Sequence, residues 1–300
     1  MRDDGYMPLP ESLSRCGFSL DTHIFRYRND ALIRNADGSV RCGYGVDELL
    51  RNTIWHSCVG ALNDPFEVYF HQNKNEAYEL SDEDLFFHWA HGDREARYHE
   101  LTLNLFFHDH KEDIKKSLTE NIDSSLYILQ NSFRTNSVVA SFTTYCNSRL
   151  MWGYYCSGFK GFCLIYNLEK LKKYLKNFGE VIYSEHRPKL DVISYFIKRK
   201  KQESIVGISH FALFKHSEWA HENEYRSFFM TDKEYEINMG GALIKLGQSC
   251  VDGVIIGGGC NKETHEAIIQ FSRENGIKMF KAEADLNSFT VSIAPYSPVS

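Results

Sequence analysis

The chain has 300 residues, 43% of them hydrophobic, which is enough for a globular protein with a sizeable core. Its formal net charge of -6 lacks the basic excess of proteins that bind nucleic-acid backbones non-specifically. Eight scattered cysteines without a CxxC pair exclude a zinc ribbon, and the absence of a long apolar run predicts a cytoplasmic protein without a membrane partner.

The N-terminal half shows short elements and one long helical block. Residues 1–20 are predicted to form a loose arm. Hydrophobic periodicity then predicts a strand, a helix and a second strand, at residues 23–28, 46–52 and 53–57. Asn63, Asp64 and Pro65 are typical turn residues. Residues 80–135 are predicted to be helical throughout and to form an insertion, which begins with Ser81 and three acidic residues.

The C-terminal half is rich in predicted strands. We expect strands at 137–145, 161–166, 180–184, 224–230, 251–257, 277–281 and 288–294. We expect helices at 147–157, 167–177, 189–205 and 262–275. This order predicts an α+β fold, with a mixed, mainly antiparallel sheet and inserted helices, in a single domain over 1–300.

Three polar groups in the predicted strands are candidates for a site. Arg26 and Arg28 share one strand face and are suited to bind a phosphate, or to form a surface salt bridge. Ser141, Thr143 and Tyr145 share a face of a later strand, either to hold a ligand or as a solvated face. The third group is Glu222, Glu224 and Arg226. Carboxylates two residues apart on a strand repel each other unless a cation or a functional role holds them, and the alternative is an exposed salt bridge.

Five segments together resemble a bacterial family, domain of unknown function 2971. They are Ile24-Phe25-Arg26-Tyr27-Arg28, Leu62-Asn63-Asp64-Pro65-Phe66-Glu67, Met151-Trp152-Gly153-Tyr154-Tyr155, Gly161-Phe162-Cys163 and Trp219-x-x-Glu222-x-Glu224-Tyr225-Arg226. The family pattern is approximately YKY, NDPFE, MWxHYA, GxC and WxxExEYR, and the resemblance spans roughly residues 22 to 295. Arg26 replaces a usual Lys and Tyr154 replaces a frequent His, so the resemblance carries over no role that needs Lys or His at these positions. The family has no assigned activity.

The order Arg, then Ser-x-Thr, then Glu-x-Glu is similar to the Arg–Ser–Glu arrangement of the ADP-ribosyltransferase superfamily. This resemblance implies an ADP-ribosyltransferase-like fold and NAD as the substrate, with no metal. It implies that Arg26 binds the NAD phosphates, that Glu224 contacts the nicotinamide ribose and that Glu222 activates the acceptor. The substrate-binding residues expected around them are Arg28, Ser141, Thr143, Tyr145, Trp152, Tyr155 and Arg226.

The segment around the Asn-Asp-Pro turn has no role in that arrangement. We expect Asn63, Asp64 and Phe66 to be structural neighbours of the site, with Asp64 capping a turn and Phe66 filling the core beside the pocket.

Three function classes follow from these observations. The first is an NAD-consuming ADP-ribosyltransferase or NAD glycohydrolase, as a bacterial toxin or antiphage effector with a protein or nucleic-acid acceptor. The second is a metal-dependent nuclease or phosphodiesterase whose carboxylates gather a divalent cation, from Asp64, Glu67, Glu222 and Glu224. The third is a non-catalytic module that senses a nucleotide or binds a partner.

Overall fold

The computed structural model describes residues 7–90, 100–175, 177–202, 211–230 and 240–297, without the side chains of residues 100–102. The strands in these ranges are β1 His23–Arg28, β2 Leu32–Arg34, β3 Val40–Cys42, β4 Thr53–Cys58, β5 His71–Gln72, β6 Ser137–Thr143, β7 Phe162–Asn167, β8 Phe178–Glu180, β9 Ile182–Ser184, β10 Lys189–Leu190, β11 Phe214–His216, β12 Glu224–Met230, β13 Gly241–Lys245, β14 Val251–Gly257, β15 Lys278–Asp285 and β16 Thr290–Pro295.

The α-helices in the same ranges are α1 Glu11–Ser14, α2 Tyr44–Arg51, α3 Glu76–Glu79, α4 Asp82–Ala90, α5 Glu100–Asn136, α6 Arg149–Tyr155, α7 Leu168–Lys172, α8 Val192–Lys200 and α9 Lys262–Asn275. Short 3-10 turns lie at Val59–Ala61 and Ser217–Glu222. No helix in the described part of the chain has the length and apolar character needed to cross a membrane.

One large sheet organises the molecule. Its strands follow the order β13-β4-β6-β1-β7-β14-β15-β16, and β12 and β8 extend it from β6. The β14/β15 pair is parallel, while the other pairs of this sheet are antiparallel. Helix α9 connects the two parallel strands, as such a crossover requires. The predicted α+β class with a mixed, mainly antiparallel sheet is confirmed.

The sheet divides at β6. One edge of β6 pairs with β12 along its whole length. The opposite edge is shared, because β4 pairs with it at Val138 and Val139 and β1 pairs with it at Thr143. Ser141 lies between these two pairings, where β4 and β1 separate. This division leaves room in the sheet for side chains, and it positions the site described below.

The hydrophobic core covers both faces of the sheet. One cluster contains Phe142 and Phe162, and another contains Phe25 and Trp152. Leu13 and Phe18 are buried in the second cluster, so the described part of residues 1–20 packs against the sheet and is not a loose arm. The physical reason is that two large apolar side chains gain more from burial than the short segment loses in entropy.

The predicted elements differ from the structure mainly at their ends and in short strands. The segment 180–184 divides at Val181 into β8 and β9, which pair with different strands. The helical block 80–135 contains α4 and α5, and residues 91–99 between them lie outside the described ranges. Residues 203–205 of the predicted helix 189–205 also lie outside them. Strand β13 was not predicted and pairs with β4.

Candidate functional site

The polar segments singled out in the sequence meet at one cavity of about 260 Å³. Strand β1, the turn before α3, strand β6, helix α6 and the start of β12 all contribute to its wall. The polar and aromatic residues that line it include Arg26, Arg28, Asn63, Asp64, Glu67, Ser141, Thr143, Tyr155, Lys215, Trp219, Glu222, Glu224 and Arg226. Eleven of these are among the residues proposed from the sequence to form or adjoin a site, since Glu67 was a candidate for the metal-binding alternative; Lys215 and Trp219 are the additions.

One wall is a buried group of three carboxylates and two cations, which we call the carboxylate cluster: Glu67, Lys215, Glu222, Glu224 and Arg226. Arg226 donates two hydrogen bonds to Glu224, at 2.8 and 2.9 Å. It also forms an ion pair with Glu67 at 2.6 Å. A planar guanidinium suits this arrangement because it presents several donors in fixed directions. Arg226 therefore holds the strand β12 and the turn containing Glu67 together.

Lys215 lies among the three carboxylates. Its Nζ is 2.6 Å from Glu222, 3.1 Å from Glu224 and 3.4 Å from Glu67. It also lies 4.7 Å from the centre of the Trp219 ring. From the sequence, two carboxylates so close together were expected to need either a cation or a functional role, and the structure places two cations, Lys215 and Arg226, beside them.

The backbone at Asn223 explains how both glutamates reach Lys215. Glu222 ends a 3-10 turn and Glu224 begins β12, so the expectation that they share a face of one strand is wrong. Asn223 between them has a left-handed conformation with a φ of 41°. Asn tolerates this conformation better than most residues do, because its side chain forms local hydrogen bonds. The Thr143 hydroxyl braces the turn by donating to the Glu222 carbonyl at 2.6 Å.

The pKa values of two carboxylates in the cluster are shifted in opposite directions. Burial alone would raise the pKa of Glu224, but Arg226 and Lys215 outweigh burial and lower it to about 2. A hydrogen bond from the Ser141 side chain acts in the same direction. For Glu67, burial raises the pKa and the two cations offset this only in part. Glu224 is thus ionised at neutral pH, and with all five groups charged the cluster carries one net negative charge.

Tyrosine hydroxyls complete the hydrogen bonding of this wall. The Tyr155 hydroxyl donates to Glu222 at 2.6 Å, and burial together with that carboxylate raises the pKa of Tyr155. The Tyr183 hydroxyl accepts the backbone N–H of Glu224 at 2.8 Å. Tyr183 pairs with Lys215 across strands β9 and β11, which fixes both residues beside β12.

A second wall is basic because Arg26 and Arg28 line it. Glu48 does not line the cavity but binds both arginines, and we call the three residues the arginine pair with its glutamate. Both arginines bind the Glu48 carboxylate, Arg28 through its Nε at 2.8 Å and Arg26 as an ion pair at 3.3 Å. Burial would raise the pKa of Glu48, but the two arginines lower it. Two cations and one carboxylate leave this wall with one net positive charge.

The Arg26 side chain lies in the gap where β4 and β1 separate beside β6. It donates to the Ser141 carbonyl on β6 at 2.8 Å and to the Trp55 carbonyl on β4 at 2.7 Å. Glu48 accepts the Trp55 N–H at 2.9 Å, so these two side chains replace strand pairing where β4 and β1 separate. Burial and the nearby Arg28 lower the pKa of Arg26 to about 10. A surface salt bridge at Arg26, the alternative drawn from the sequence, is wrong because the residue is buried.

Two of the predicted substrate-binding residues do not line the cavity. Trp152 is completely buried in the core, where its indole N–H donates to the Cys146 carbonyl at 2.9 Å. Tyr145 is buried beside Thr143, and its carbonyl accepts the Tyr27 hydroxyl. A direct substrate contact is therefore not available to Trp152, and Tyr145 lies outside the cavity wall.

The turn before α3 fulfils one expectation and contradicts another. The Asp64 carboxylate accepts the N–H of Phe66 at 2.8 Å, which confirms that Asp64 caps a turn. Phe66 does not fill the core, because 68% of the residue is exposed to solvent. The structure instead turns Glu67 and Val68 inward.

Lys215 and Glu48 were not predicted from the sequence to belong to the site. Lys215 follows the apolar residues 211–214, and a charged residue at the end of such a run was the available signal. Glu48 lies on α2 between Val46 and Leu49, both of which are buried. Among the described residues, no group of three His, Cys, Asp or Glu side chains has a geometry that could hold a metal ion.

Residues 151–227 match a protein family of unknown function, DUF2971. This segment therefore carries the DUF2971 match. The DUF2971 match runs from α6 to β12 and includes Tyr155, Lys215 and the two glutamates, whereas the motifs at 24–28 and 62–67 precede it. Comparison with curated proteins and with solved structures gives no match. The likeness to ADP-ribosyltransferases is therefore not confirmed by any relative.

Proposed function

We propose that this protein breaks the bond between nicotinamide and ribose in NAD, as an ADP-ribosyltransferase or an NAD glycohydrolase. The observation that carries the proposal is the opposite charge of the two cavity walls. The arginine pair with its glutamate is net positive, and the carboxylate cluster is net negative. NAD has the matching distribution, because its pyrophosphate is anionic and its nicotinamide ring is cationic.

The arrangement of strands supports the same activity. The Arg strand β1, the Ser-x-Thr strand β6 and the Glu-x-Glu strand β12 are neighbours in the sheet. Phe25, Thr143 and Glu224 are paired in one row across them. The three motifs that resemble the ADP-ribosyltransferase order therefore act on one volume, although they are far apart in sequence.

Glu224 and Glu222 supply the chemistry in this proposal. The bond from the ribose C1′ to the nicotinamide nitrogen breaks, and its electron pair stays on the nitrogen, which leaves neutral nicotinamide. The ribose becomes oxocarbenium-like, and the ionised Glu224 stabilises that positive charge. A hydroxyl of water or of an acceptor then attacks C1′, and its proton goes to Glu222. The Tyr155 hydroxyl orients Glu222 for this transfer.

The geometry changes the expected roles of the two arginines. Both terminal nitrogens of Arg26 donate to backbone carbonyls, so we assign Arg26 to positioning β6 rather than to phosphate binding. Arg28 is 22% exposed and lines the same cavity, so we assign phosphate contact to Arg28. A guanidinium there binds phosphate oxygens as a charged, directional donor.

A metal-dependent phosphodiesterase is the second candidate. The observation that favours it is the convergence of Glu67, Glu222 and Glu224, all within 3.4 Å of the Lys215 Nζ. A divalent cation bound there would have to displace Lys215. The third class, a non-catalytic sensor, is favoured by the same ion pairs taken as a purely structural network.

The test is nicotinamide release from NAD by the purified protein and by Glu224→Gln. We expect release by the wild type and a loss of about 100-fold or more in the variant, since a placed charge of this kind typically contributes 10²–10³ in rate. Glu266→Gln is the matched control, because Glu266 is an exposed glutamate on α9. Thermal melting of each variant separates loss of activity from loss of folding.

The outcomes distinguish the three classes. Release that persists in EDTA and vanishes in Glu224→Gln supports NAD cleavage. No release, with phosphodiester cleavage that EDTA abolishes, supports the second candidate. Neither activity, with a Glu224→Gln variant that is less stable but still binds nucleotide, supports the sensor.

A toxin or antiphage effector is the biological role that we propose with this activity, because NAD depletion or acceptor modification arrests growth. We expect expression of the wild type to slow a bacterial host and expression of Glu224→Gln to leave its growth unchanged.

A further inference from the structure

A second cavity of about 320 Å³ adjoins the first. The two share Asp64, Glu67, Lys215 and Trp219 as a common wall. Beyond that wall, the second cavity is lined by charged groups of both signs, with Glu185 and Glu218 among them, and by aromatic rings. The residues that matter for the argument below are Phe66, Tyr69 and Arg187. Together the two cavities reach the size of ordinary small-ligand sites, which span about 300–1,000 Å³.

Contacts on both sides of Phe66 fix the backbone that keeps its side chain exposed. The Asp64 carboxylate holds the Phe66 N–H on one side, and the buried Glu67 is tied by Arg226 on the other. Val68, the next residue, has a φ of 59° although it is buried. A β-branched residue with a left-handed conformation is strained by about 1–3 kcal/mol, and such strain concentrates at functional sites. The chain thus holds an aromatic ring in solvent at the edge of the site.

Arg187 provides a cation beside this ring. Its guanidinium lies 6.0 Å from the centre of the Phe66 ring and 5.4 Å from that of Tyr69. Within the described ranges, no carboxylate lies at ion-pair distance from Arg187, whereas Arg28 and Arg226 in the neighbouring cavity are both paired. A guanidinium that lies beside aromatic rings and forms no ion pair with the described residues has donors available to an anionic ligand, although Glu185 and Glu218 line the same cavity.

We propose that this second cavity is a nucleotide subsite, in which a nucleobase stacks on Phe66 and a phosphate binds Arg187. Stacking of a base on an aromatic side chain contributes about 1–3 kcal/mol, and an adjacent arginine adds a charged contact to the phosphate. The place of this subsite in catalysis rests on the proposed function. In the proposed reaction, the nucleotide bound in this subsite is either the AMP half of NAD or a nucleotide of a single-stranded nucleic-acid acceptor.

Direct binding tests the subsite without any reaction. We would titrate AMP, and separately a short single-stranded oligonucleotide, into the wild type, Phe66→Ala, Phe66→Trp and Arg187→Gln by calorimetry. We expect Phe66→Ala to weaken binding about tenfold and Phe66→Trp to retain it. Arg187→Gln is expected to weaken binding and to reduce its salt dependence. Phe289→Ala is the control, because Phe289 is 76% exposed at the turn between β15 and β16.

The two probes separate the sources of the ligand. Tighter binding of the oligonucleotide than of AMP, dependent on Phe66, identifies a nucleic-acid acceptor. Binding of AMP but not of the oligonucleotide identifies the ligand as a free nucleotide or as the AMP half of NAD. If the wild type binds neither probe at millimolar concentration, or if Phe66→Ala binds as the wild type does, the subsite is refuted.

These results are independent of NAD cleavage. Phe66-dependent binding without nicotinamide release leaves the nucleotide subsite standing and removes the proposed activity. Nicotinamide release without Phe66-dependent binding does the reverse.

Discussion

Arg226→Met is expected to destabilise the protein strongly. Arg226 is 1% exposed and contacts Glu224, Glu67 and the Ala212 carbonyl. The variant leaves two buried carboxylates with only Lys215 beside them. Removal of one partner from a buried ion pair costs about 3–5 kcal/mol, and two carboxylates are affected here, so we expect at least about 4 kcal/mol. At about 2 °C per kcal/mol for a chain of this size, the melting temperature should fall by about 8 °C.

The pH dependence gives this expectation a second, independent measure. In the wild type the pKa of Glu224 is lowered to about 2. Its ionised form therefore contributes fully to the free energy of unfolding above the ordinary pKa of a glutamate, and this contribution is lost as the pH falls toward 2. Without Arg226, burial raises the pKa of the remaining carboxylates, so the variant is penalised at neutral pH and recovers as they become protonated. The difference between wild type and variant should therefore be smaller at pH 5 than at pH 7.5, by about 1 kcal/mol or more.

Urea denaturation at both pH values measures these differences. Arg15→Met is the control, because Arg15 and its partner Glu11 are both exposed and surface ion pairs contribute little. A loss of less than about 1 kcal/mol in Arg226→Met, or a larger loss at pH 5 than at pH 7.5, would refute the argument that the carboxylate cluster is held by buried charge compensation.

Three further substitutions separate structural from functional roles. Glu48→Gln leaves Arg26 and Arg28 without a full counter-charge. We therefore expect the free energy of unfolding, measured by urea denaturation, to fall by about 3 kcal/mol, and an unchanged denaturation midpoint would contradict this expectation. Tyr155→Phe removes the hydroxyl that orients Glu222. Nicotinamide release should fall tenfold or more with little change in melting temperature, and unchanged release would be evidence against that role. Trp152→Phe should lower the melting temperature and leave nicotinamide release per folded molecule unchanged, since Trp152 is a core residue; a selective loss of release would assign it to the site.

The local pattern of the sequence determined the strands that form the site. The local pattern marked β1 and β12 at their observed ends and β6 to within two residues at its C-terminal end, because the side-chain period of a strand is a local property. The spacing of Glu222 and Glu224 also indicated that either a cation or a functional role holds them together. Lys215 lies close along the chain, but its place among the carboxylates depends on the pairing of β11 with β9.

Tertiary structure alone decided which charges compensate each other and which aromatic rings are buried. Arg26 is buried because β4 and β1 separate at Ser141, and Glu48 reaches it from helix α2, which the paired strands β2 and β3 separate from β1 along the chain. Phe66 is exposed and Trp152 is buried, although both are large aromatic residues in signature segments. The physical reason is that charge compensation and burial depend on distances between segments far apart in the chain, whereas periodicity and turn propensity act among neighbouring residues.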